Sequence, residues 1–462
     1  MNIAQLLAEI VKTQINVEFN HLCLDARQIK KDDVFVALKG TKEHGANYID
    51  QAIKNGCSCV LVDTQTITCA VPSIRINSLK KHLPKLASRA YPKAQKVDVI
   101  GVTGTNGKTT VGSFIQQLLK HLGVNCGLIG TLGIHNSRIK TNHTTPDIFT
   151  LYRALDEYAK NNTDTVVLEV SSHALDQQRI AGINLVQALF TNITQDHLDY
   201  HQNFENYQQT KAKLFHWPSL KTVVINKDDK HWRYFFDQAS CKNKLTYDLN
   251  SFKQIRANEH GFLLHLDDFV FEVPFLGEFN LSNLLCALTG VEALGFDREE
   301  IIPLLPKLLT PNGRMQQVEN LTAWVDYAHT PDALDKAIQT LKLHFPKHKI
   351  HVLFGCGGNR DQDKRAKMGA VASKFANQIT LTNDNPRDEN PEQIIADIVS
   401  GISNEDKVCI IADRKAAIEN AIKNLSENEC LLIAGKGHES TQQFRDKIVS
   451  FNDLQVAKNA LN

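Results

Sequence analysis

Residues 97–121 read V-D-V-I-G-V-T-G-T-N-G-K-T-T-V-G-S-F-I-Q-Q-L-L-K-H, and this stretch decides the fold. Val97 to Val102 is a short apolar, β-branched run and reads as a buried strand. Val111, Phe114, Ile115, Leu118 and Leu119 recur at helical spacing up to His121. Between them lie Gly104, Thr105, Asn106, Gly107, Lys108, Thr109 and Thr110. Strand, glycine loop and helix in that order make a phosphate cradle. Glycines let backbone N–H groups approach phosphate oxygens, and the helix start adds unpaired donors and partial positive charge. Lys108 is placed for the β- and γ-phosphates, and the Thr109 hydroxyl for Mg²⁺. The generic pattern has Gly six positions before the Lys, where this chain has Val102, so the loop is a variant. A surface turn is the other reading of G-K-T-T alone, and the flanking strand and helix argue against it.

The rest of the chain sets bounds around this loop. At 462 residues it exceeds one ordinary core, and about three domains are expected. Lys+Arg of 52 against Asp+Glu of 51 leaves a net charge of +1, which argues against a nucleic-acid or membrane-surface protein. No apolar run reaches the roughly 20 residues of a membrane span. Met1 to Thr13 lacks a basic leader pattern, contains Glu9, and reads as a short amphipathic helix. The ten cysteines form no Cys-x-x-Cys pair, so reduced, buried thiols in a cytoplasmic protein are expected.

Strand–helix alternation predicts an α/β protein in three units: 1–93, 94–312 and 313–462. In the first, Asp33–Leu38 and Cys59–Asp63 read as strands and Asn47–Asn55 as a helix. The central unit holds the P-loop and a parallel sheet. Its predicted strand Thr165–Leu168 ends in Glu169, the expected place for a Mg²⁺ ligand; a Glu capping the next turn is the plainer reading. Strand Ala188–Ile193 runs into Asp196, His197, Asp199 and His201, either an ion or phosphate site or a solvated loop. Lys211 lies on the predicted helix Asn203–Phe215. A helix runs from Gly277 to about Leu294, where Asn280 and Asn283 cap it or face a base. In the third unit, strands end at Asp326, at Gly355 to Asp361, at Asp384 to Arg387 and at Gly435 to Glu439. Ligands bind at such carboxyl ends in parallel sheets. The glycine turn at 355–358 looks Rossmann-like but lacks G-x-G-x-x-G, so no dinucleotide site is expected.

Seven motifs in fixed order resemble the Mur ligase family, the ATP-dependent amino-acid-adding enzymes of peptidoglycan synthesis. They are T-G-T-N-G-K-T-T at 103–110, E-V-S-S-H at 169–173, D-H-L-D-Y-H at 196–201, N-G-R-M at 312–315, D-Y-A-H-T-P at 326–331, D-N-P-R at 384–387 and G-K-G-H-E at 435–439. The resemblance spans the chain and implies a UDP-substrate domain, a P-loop ATPase domain and a Rossmann-like amino-acid domain. It implies ATP and Mg²⁺, with Lys108 and its loop on ATP and Thr109, Glu169, His197 and an N-carboxylated Lys211 on the metal. Asn283, Arg314 and Asp326 would take the nucleotide. Leu24, Ala26, Thr41, Lys42 and Glu43 would hold the uridine end of UDP-N-acetylmuramoyl-L-alanyl-D-glutamate. His143, Thr144, Thr145, Ser171, Gln177 and Arg179 would hold its muramoyl dipeptide. Arg360, Asp384, Asn385, Pro386, Arg387, Gly435 and Glu439 would hold meso-diaminopimelate. Two positions depart from the family pattern: Ala26 stands where Ser is usual, and His143 where Asn is usual. A monomer acting on small molecules is expected. The rivals are a sister amide ligase, lysine-adding or folylpolyglutamate-forming, and a P-loop switch that hydrolyses nucleotide with no amino acid.

Overall fold

The computed structural model describes residues 1–40, 43–64, 67–141 and 143–461; Thr41 and Lys42 lie outside the described residues. The chain forms two compact units, one of residues 1–101, 125–187 and 217–220, the other of 102–124, 188–216 and 221–462. No helix among the described residues is long and apolar enough to cross a membrane.

The first unit opens with a four-stranded parallel sheet, Leu22–Cys23, Val34–Ala37, Cys59–Val62 and Ser73–Arg75, side by side in chain order. Met1 to Thr13 does not make the expected helix. Ile3–Leu6 forms one turn capped by Asn2 and Gln5, and Glu9 then sits at φ +63°. Tertiary bonds win over helix extension here: Ile3 N donates to Val17 O at 2.9 Å, and Arg89 takes the carbonyls of Leu6 and Ala8.

The largest sheet has seven strands in the order Asn243–Tyr247, Thr222–Asn226, Leu185–Phe190, Asp98–Thr103, Thr165–Glu169, Cys126–Gly130 and Gly133–Ile134. The P-loop strand Asp98–Thr103 is its middle member. Its helix runs Lys108–His121, one turn earlier than the apolar periodicity marks, because the phosphate loop ends directly in the first helical residue.

The second unit carries a six-stranded sheet, in the order Gln316–Gln317, Ala323–Asp326, Glu429–Ala434, Lys349–Phe354, Gln378–Leu381 and Val408–Ile410. All pairs are parallel except the first. Helices cover both faces, so its central strands are apolar at every position rather than at every second one. Cys430, Leu432 and Ala434 enter one core, and Leu431 and Ile433 the other. Two small antiparallel sheets were not foreseen: Phe252–Asn258, Gly261–Leu266 and Phe269–Val273, and the pair Thr441–Gln443 and Ile448–Ser450. All ten cysteines are free; Cys409 is exposed, against the expectation of burial.

Arg414 and Asp453 form an ion pair with both side chains fully buried, Nε to Oδ1 at 2.8 Å and Nη2 to Oδ2 at 2.7 Å. Nη2 also donates to Ala434 O at 2.9 Å, at the end of a central strand. Asp453→Ala leaves a buried guanidinium uncompensated and should lower the unfolding free energy by about 3–5 kcal/mol. The double change Arg414→Met with Asp453→Leu removes both charges and should cost far less. Urea titration of both proteins checks this; equal losses would show that charge burial is not the cause.

Candidate active site

The P-loop fits a phosphate by its backbone. Gly104 has φ +152° and Gly107 φ +87°; a Cβ on the first would stand 1.9 Å from Thr191 Oγ1, and on the second 2.4 Å from Asn283 Oδ1. Only glycine fits either place. Gly107 is the N-cap of Lys108–His121 and gives no side-chain cap, so the first helical N–H groups face the loop's interior. The loop is held from behind. Thr105 N donates to Asn192 O at 2.8 Å, Asn106 N to Asn192 Oδ1 at 3.0 Å, and Thr191 Oγ1 to Asn106 O at 2.6 Å. Thr105 Oγ1 lies 3.0 Å from the Tyr207 hydroxyl. Lys108 Nζ donates to the loop carbonyls of Gly104 at 2.8 Å and Thr105 at 2.9 Å.

The loop opens on a cavity of about 540 Å³. Phe279, Ala333, Ala337 and Leu343 form its apolar side; Asn226, Asp228, Ser282 and Asn283 form a polar side. Arg314 and Asp326 also line it. Arg314 Nη2 donates to Thr109 Oγ1 at 3.3 Å, its guanidinium lies 4.7 Å over the Tyr327 ring, and its buried Nε has no hydrogen-bond partner among the described residues. Both Asp326 oxygens accept backbone N–H groups, from Met315 at 2.7 Å and Ala328 at 2.8 Å, so this carboxylate also shapes the N-G-R-M turn. A triphosphate with a flat, polar-edged base fits this donor set. Asn280 and Asn283 do not cap their helix; Asn280 Nδ2 donates back to Leu276 O at 2.8 Å, and Asn283 Nδ2 donates to Asn280 Oδ1 at 3.3 Å.

Lys211 is buried beneath the same loop, and its Nζ donates to Gly104 O at 2.9 Å. Burial first, and then Lys108, push its pKa well below the ordinary lysine range; Asp196 opposes them. His197 sits at φ +54° with its N–H on Asp196 Oδ1 at 2.9 Å. Burial drives His197 down to about 4 despite Asp196, so its ring is neutral at neutral pH and able to ligate. Burial raises Asp196, but His197, His329, Lys364 and Lys108 outweigh it and hold the carboxyl below its ordinary value. No three His, Cys, Asp or Glu side chains gather as a metal cage among the described residues. Mg²⁺ arriving with a nucleotide needs only one or two protein ligands beside phosphate oxygens and water.

The D-N-P-R and G-K-G-H-E loops meet in the second unit. Asn385 Nδ2 donates to Glu439 Oε2 at 2.9 Å. Arg387 takes a left-handed φ of +53°, its N–H bonds Gln443 O at 3.2 Å and its Nη1 bonds Gly358 O at 2.6 Å. Burial and the neighbouring Arg360 lower its pKa. Arg360 itself is exposed. Gly435 has φ +111°, and a Cβ there would stand 2.7 Å from Asp384 Oδ2. Asn390 caps the helix Pro391–Val399 that follows.

The first unit gathers a separate polar group. Glu169 accepts from Thr131, N–H to Oε1 at 3.0 Å and hydroxyl to Oε2 at 2.9 Å. The following turn is capped by Ser171 rather than by Glu169. Thr145 is buried, donating to Glu169 O at 2.8 Å and accepting from Ser171 N at 3.0 Å. Arg179 binds Thr145 O at 2.9 Å and Gln177 Oε1 through Nε and Nη2 at 2.9 and 2.7 Å. The Thr144 and Thr131 hydroxyl oxygens lie 3.2 Å apart, and His143 is exposed. Leu24 is partly exposed, and Glu43 accepts from the Tyr48 hydroxyl. Ala26 points into the apolar core with Phe35 and Val60, so no ligand contact comes from its methyl. Tyr327, Asn192 and Lys436 belong to these constellations and were not singled out from sequence. Tyr327 and Lys436 stood inside quoted motifs; nothing marked Asn192.

Three family profiles match in order: the Mur ligase family catalytic domain over 18–98, the Mur ligase middle domain over 102–291, and the Mur ligase glutamate ligase domain over 313–437. Among curated relatives, a UDP-N-acetylmuramoyl-L-alanyl-D-glutamate–2,6-diaminopimelate ligase of Wigglesworthia glossinidia brevipalpis is 38% identical over 98% of this chain and 97% of its own. One of the same name from Coxiella burnetii is 39% identical over 95% of this chain and 94% of its own. A solved structure of that name superposes with TM-score 0.66 at 33% identity, covering 100% of this chain and 98% of the other.

Proposed function

As the chain belongs to the Mur ligase family, we propose that it joins meso-2,6-diaminopimelate to the D-glutamate γ-carboxylate of UDP-N-acetylmuramoyl-L-alanyl-D-glutamate at the expense of ATP. It is a ligase: the carboxylate accepts the γ-phosphoryl group of ATP and ADP leaves, then the amine attacks the acyl phosphate, loses a proton and displaces phosphate as the amide forms. One observation carries the reading. A chain 38% identical over nearly its whole length to a ligase of that name carries D-N-P-R at 384–387, with Arg387 bonded to the backbone at Gln443 O and Gly358 O.

In this reading Lys108 neutralises charge on the transferring phosphoryl group, and the loop N–H groups fix it in line. Asn283, Arg314 and Asp326 hold the nucleotide. Arg360, the 384–387 loop, Gly435 and Glu439 hold the amino acid. The uridine end falls to Leu24, Ala26 and residues 41–43, where Ala26 would act through its backbone. Residues 143–145, Ser171, Gln177 and Arg179 take the muramoyl dipeptide. Thr109, Glu169, His197 and Lys211 are assigned to Mg²⁺ by family likeness; when bound, the metal supplies further charge neutralisation at the phosphates.

A buried lysine with a lowered pKa suits N-carboxylation. The neutral amine attacks CO₂, an N–C bond forms, one proton leaves, and the product is an anion able to ligate a metal. Lys211→Ala should lose about 10²–10³ in kcat, the rate equivalent of several kcal/mol of charge stabilisation. Added acetate or propionate should restore part of it. Enzyme equilibrated with ¹³C-bicarbonate should show a carbamate carbon that Lys211→Ala lacks. Full activity in the variant would remove the role.

The reading as a whole is tested by phosphate release over a panel of amino acids, with and without the UDP-linked acceptor. Release should need both acceptor and diaminopimelate. Release driven by lysine would mark the sister ligase, and release without amino acid a nucleotide switch.

A further inference from the structure

Lys436 has no role in the reading above, yet it joins the two loops assigned to the amino acid. Its side chain is fully buried, and its ammonium donates to Glu439 Oε2 at 2.7 Å and to Asn385 Oδ1 at 3.1 Å, with Asp384 Oδ1 at 3.9 Å. We propose that Lys436 is a positioning residue for the amino-acid substrate. It orients the Asn385 amide and the Glu439 carboxylate so that both present a fixed polar face to the far-end ammonium and carboxylate of a diamino diacid. The proposal rests on the function proposed above and adds a residue to it.

The first argument is donor chemistry. An ammonium has three donors and no acceptor, so it can face only the oxygen of Asn385. Gln443 N–H meets the same oxygen at 2.9 Å. With two donors on Oδ1, the amide NH₂ is turned to Glu439 Oε2, which it reaches at 2.9 Å. Oε2 is thus taken twice, by Lys436 and Asn385, while Oε1 makes no hydrogen bond among the described residues. One carboxylate oxygen is spent on structure and the other is left for a ligand. Burial would push the Glu439 carboxyl up, but Lys436 and Asn385 outweigh it, so the group stays ionised.

The second argument is topological. The 384–387 loop follows strand Gln378–Leu381, and the 435–439 loop follows Glu429–Ala434. These strands are not neighbours; Lys349–Phe354 lies between them. No ladder hydrogen bond joins these two strands; Arg387 N–H reaches Gln443 O at 3.2 Å just past the second loop, and between the loops themselves the Lys436, Asn385 and Glu439 side chains make the link. Gly435, just before Lys436, approaches Asp384 so closely that a Cβ would stand 2.7 Å from Oδ2. A methionine in place of Lys436 would fill the same space without donating to either loop.

The test compares wild type, Lys436→Gln and Lys436→Arg, each first checked for a cooperative thermal transition. Steady-state phosphate release gives kcat and a KM for every substrate. Lys436→Gln should raise the amino-acid KM about 10–100-fold, the equivalent of one charged hydrogen bond. The KM values for ATP and for the UDP-linked acceptor should stay within about threefold, as expected for groups that touch neither. An unchanged amino-acid KM overturns the proposal. So does a parallel rise in all three KM values, which a merely structural residue would give. If Lys436→Gln does not fold, Lys436→Arg decides by the same split, and loss of folding in both assigns Lys436 to the scaffold and overturns the role. If wild type uses another amino acid, the diaminopimelate reading fails separately, and the same comparison with that amino acid still decides Lys436.

Discussion

Lys108→Ala should lower kcat about 10³–10⁵-fold, the range that single cationic groups contribute to phosphoryl transfer. The reason lies in where the ammonium can go. Its donors rest on the carbonyls of Gly104 and Thr105, on the inner rim of the cradle. A γ-phosphate on the helix start offers those donors a charged acceptor instead of neutral carbonyls, and charge-assisted bonds are about twice as strong. The gain grows as charge develops on the transferring group, so the loss falls on kcat more than on KM. The fold should be unaffected, since the side chain fills no core; the thermal midpoint should move by less than about 4 °C. Lys108→Arg should not restore the rate, because a planar fork does not fit the space of a compact ammonium. Stopped-time phosphate release together with a thermal melt decides it. A variant with near wild-type turnover would remove the P-loop from the chemistry.

Much of this was legible because it is local. The strand–loop–helix of 97–121 carries its own period, its glycines and its lysine, and the structure differs only by a one-residue shift of the strand and an earlier helix start. The four inner strands of the six-stranded sheet were legible for a related reason: runs such as Cys430–Ala434 are apolar throughout, and polar residues begin where each strand ends; the short edge strands Gln316–Gln317 and Val408–Ile410 were not foreseen. The antiparallel strands at 252–273 were missed although Phe262, Leu264 and Leu266 alternate and Asp267 turns at φ +53°. Their polar partners broke the pattern in the outer strands, where one face is solvated. Met1 to Thr13 failed in the opposite way. Its periodicity suggested a helix, and long-range bonds from Val17 and Arg89 overrode it.

Site residues divide along the same line. Lys108, Glu169 and Arg387 stand at strand ends or loop turns, so position in the sequence marks them. Asn283 is different. It lies in the second turn of a helix, and only folding brings its amide within 2.4 Å of where a Gly107 side chain would begin. Lys436 is different again: its meaning is a distance to Asn385, 51 residues earlier, which no spacing rule encodes.

Arg387→Ala should lower kcat/KM for diaminopimelate about 10²–10⁴-fold and leave ATP affinity within about threefold. Diaminopimelate differs from lysine by a second carboxylate at its far end. A site that prefers it needs a cation shaped for carboxylate, and the guanidinium fork is that group. The structure strengthens the case against an ordinary solvated loop arginine. Arg387 occupies a left-handed turn, its N–H is bound to Gln443 O, and Nη1 is anchored on Gly358 O. One end of the fork is thereby fixed, and Nε and Nη2 keep a defined direction. Arg360 lies close enough to lower its pKa, so two positive charges meet there and a carboxylate relieves their repulsion. Lysine as substrate brings no such group and leaves that repulsion in a partly desolvated pocket, so wild type should use it poorly. Arg387→Lys keeps the charge but loses the planar fork and the Gly358 anchor, so it should recover little. The measurement is kcat/KM for both amino acids in wild type, Arg387→Ala and Arg387→Lys. If wild type accepts lysine as readily as diaminopimelate, or if the alanine variant keeps its preference, selectivity resides elsewhere and only the amide-ligase chemistry stands.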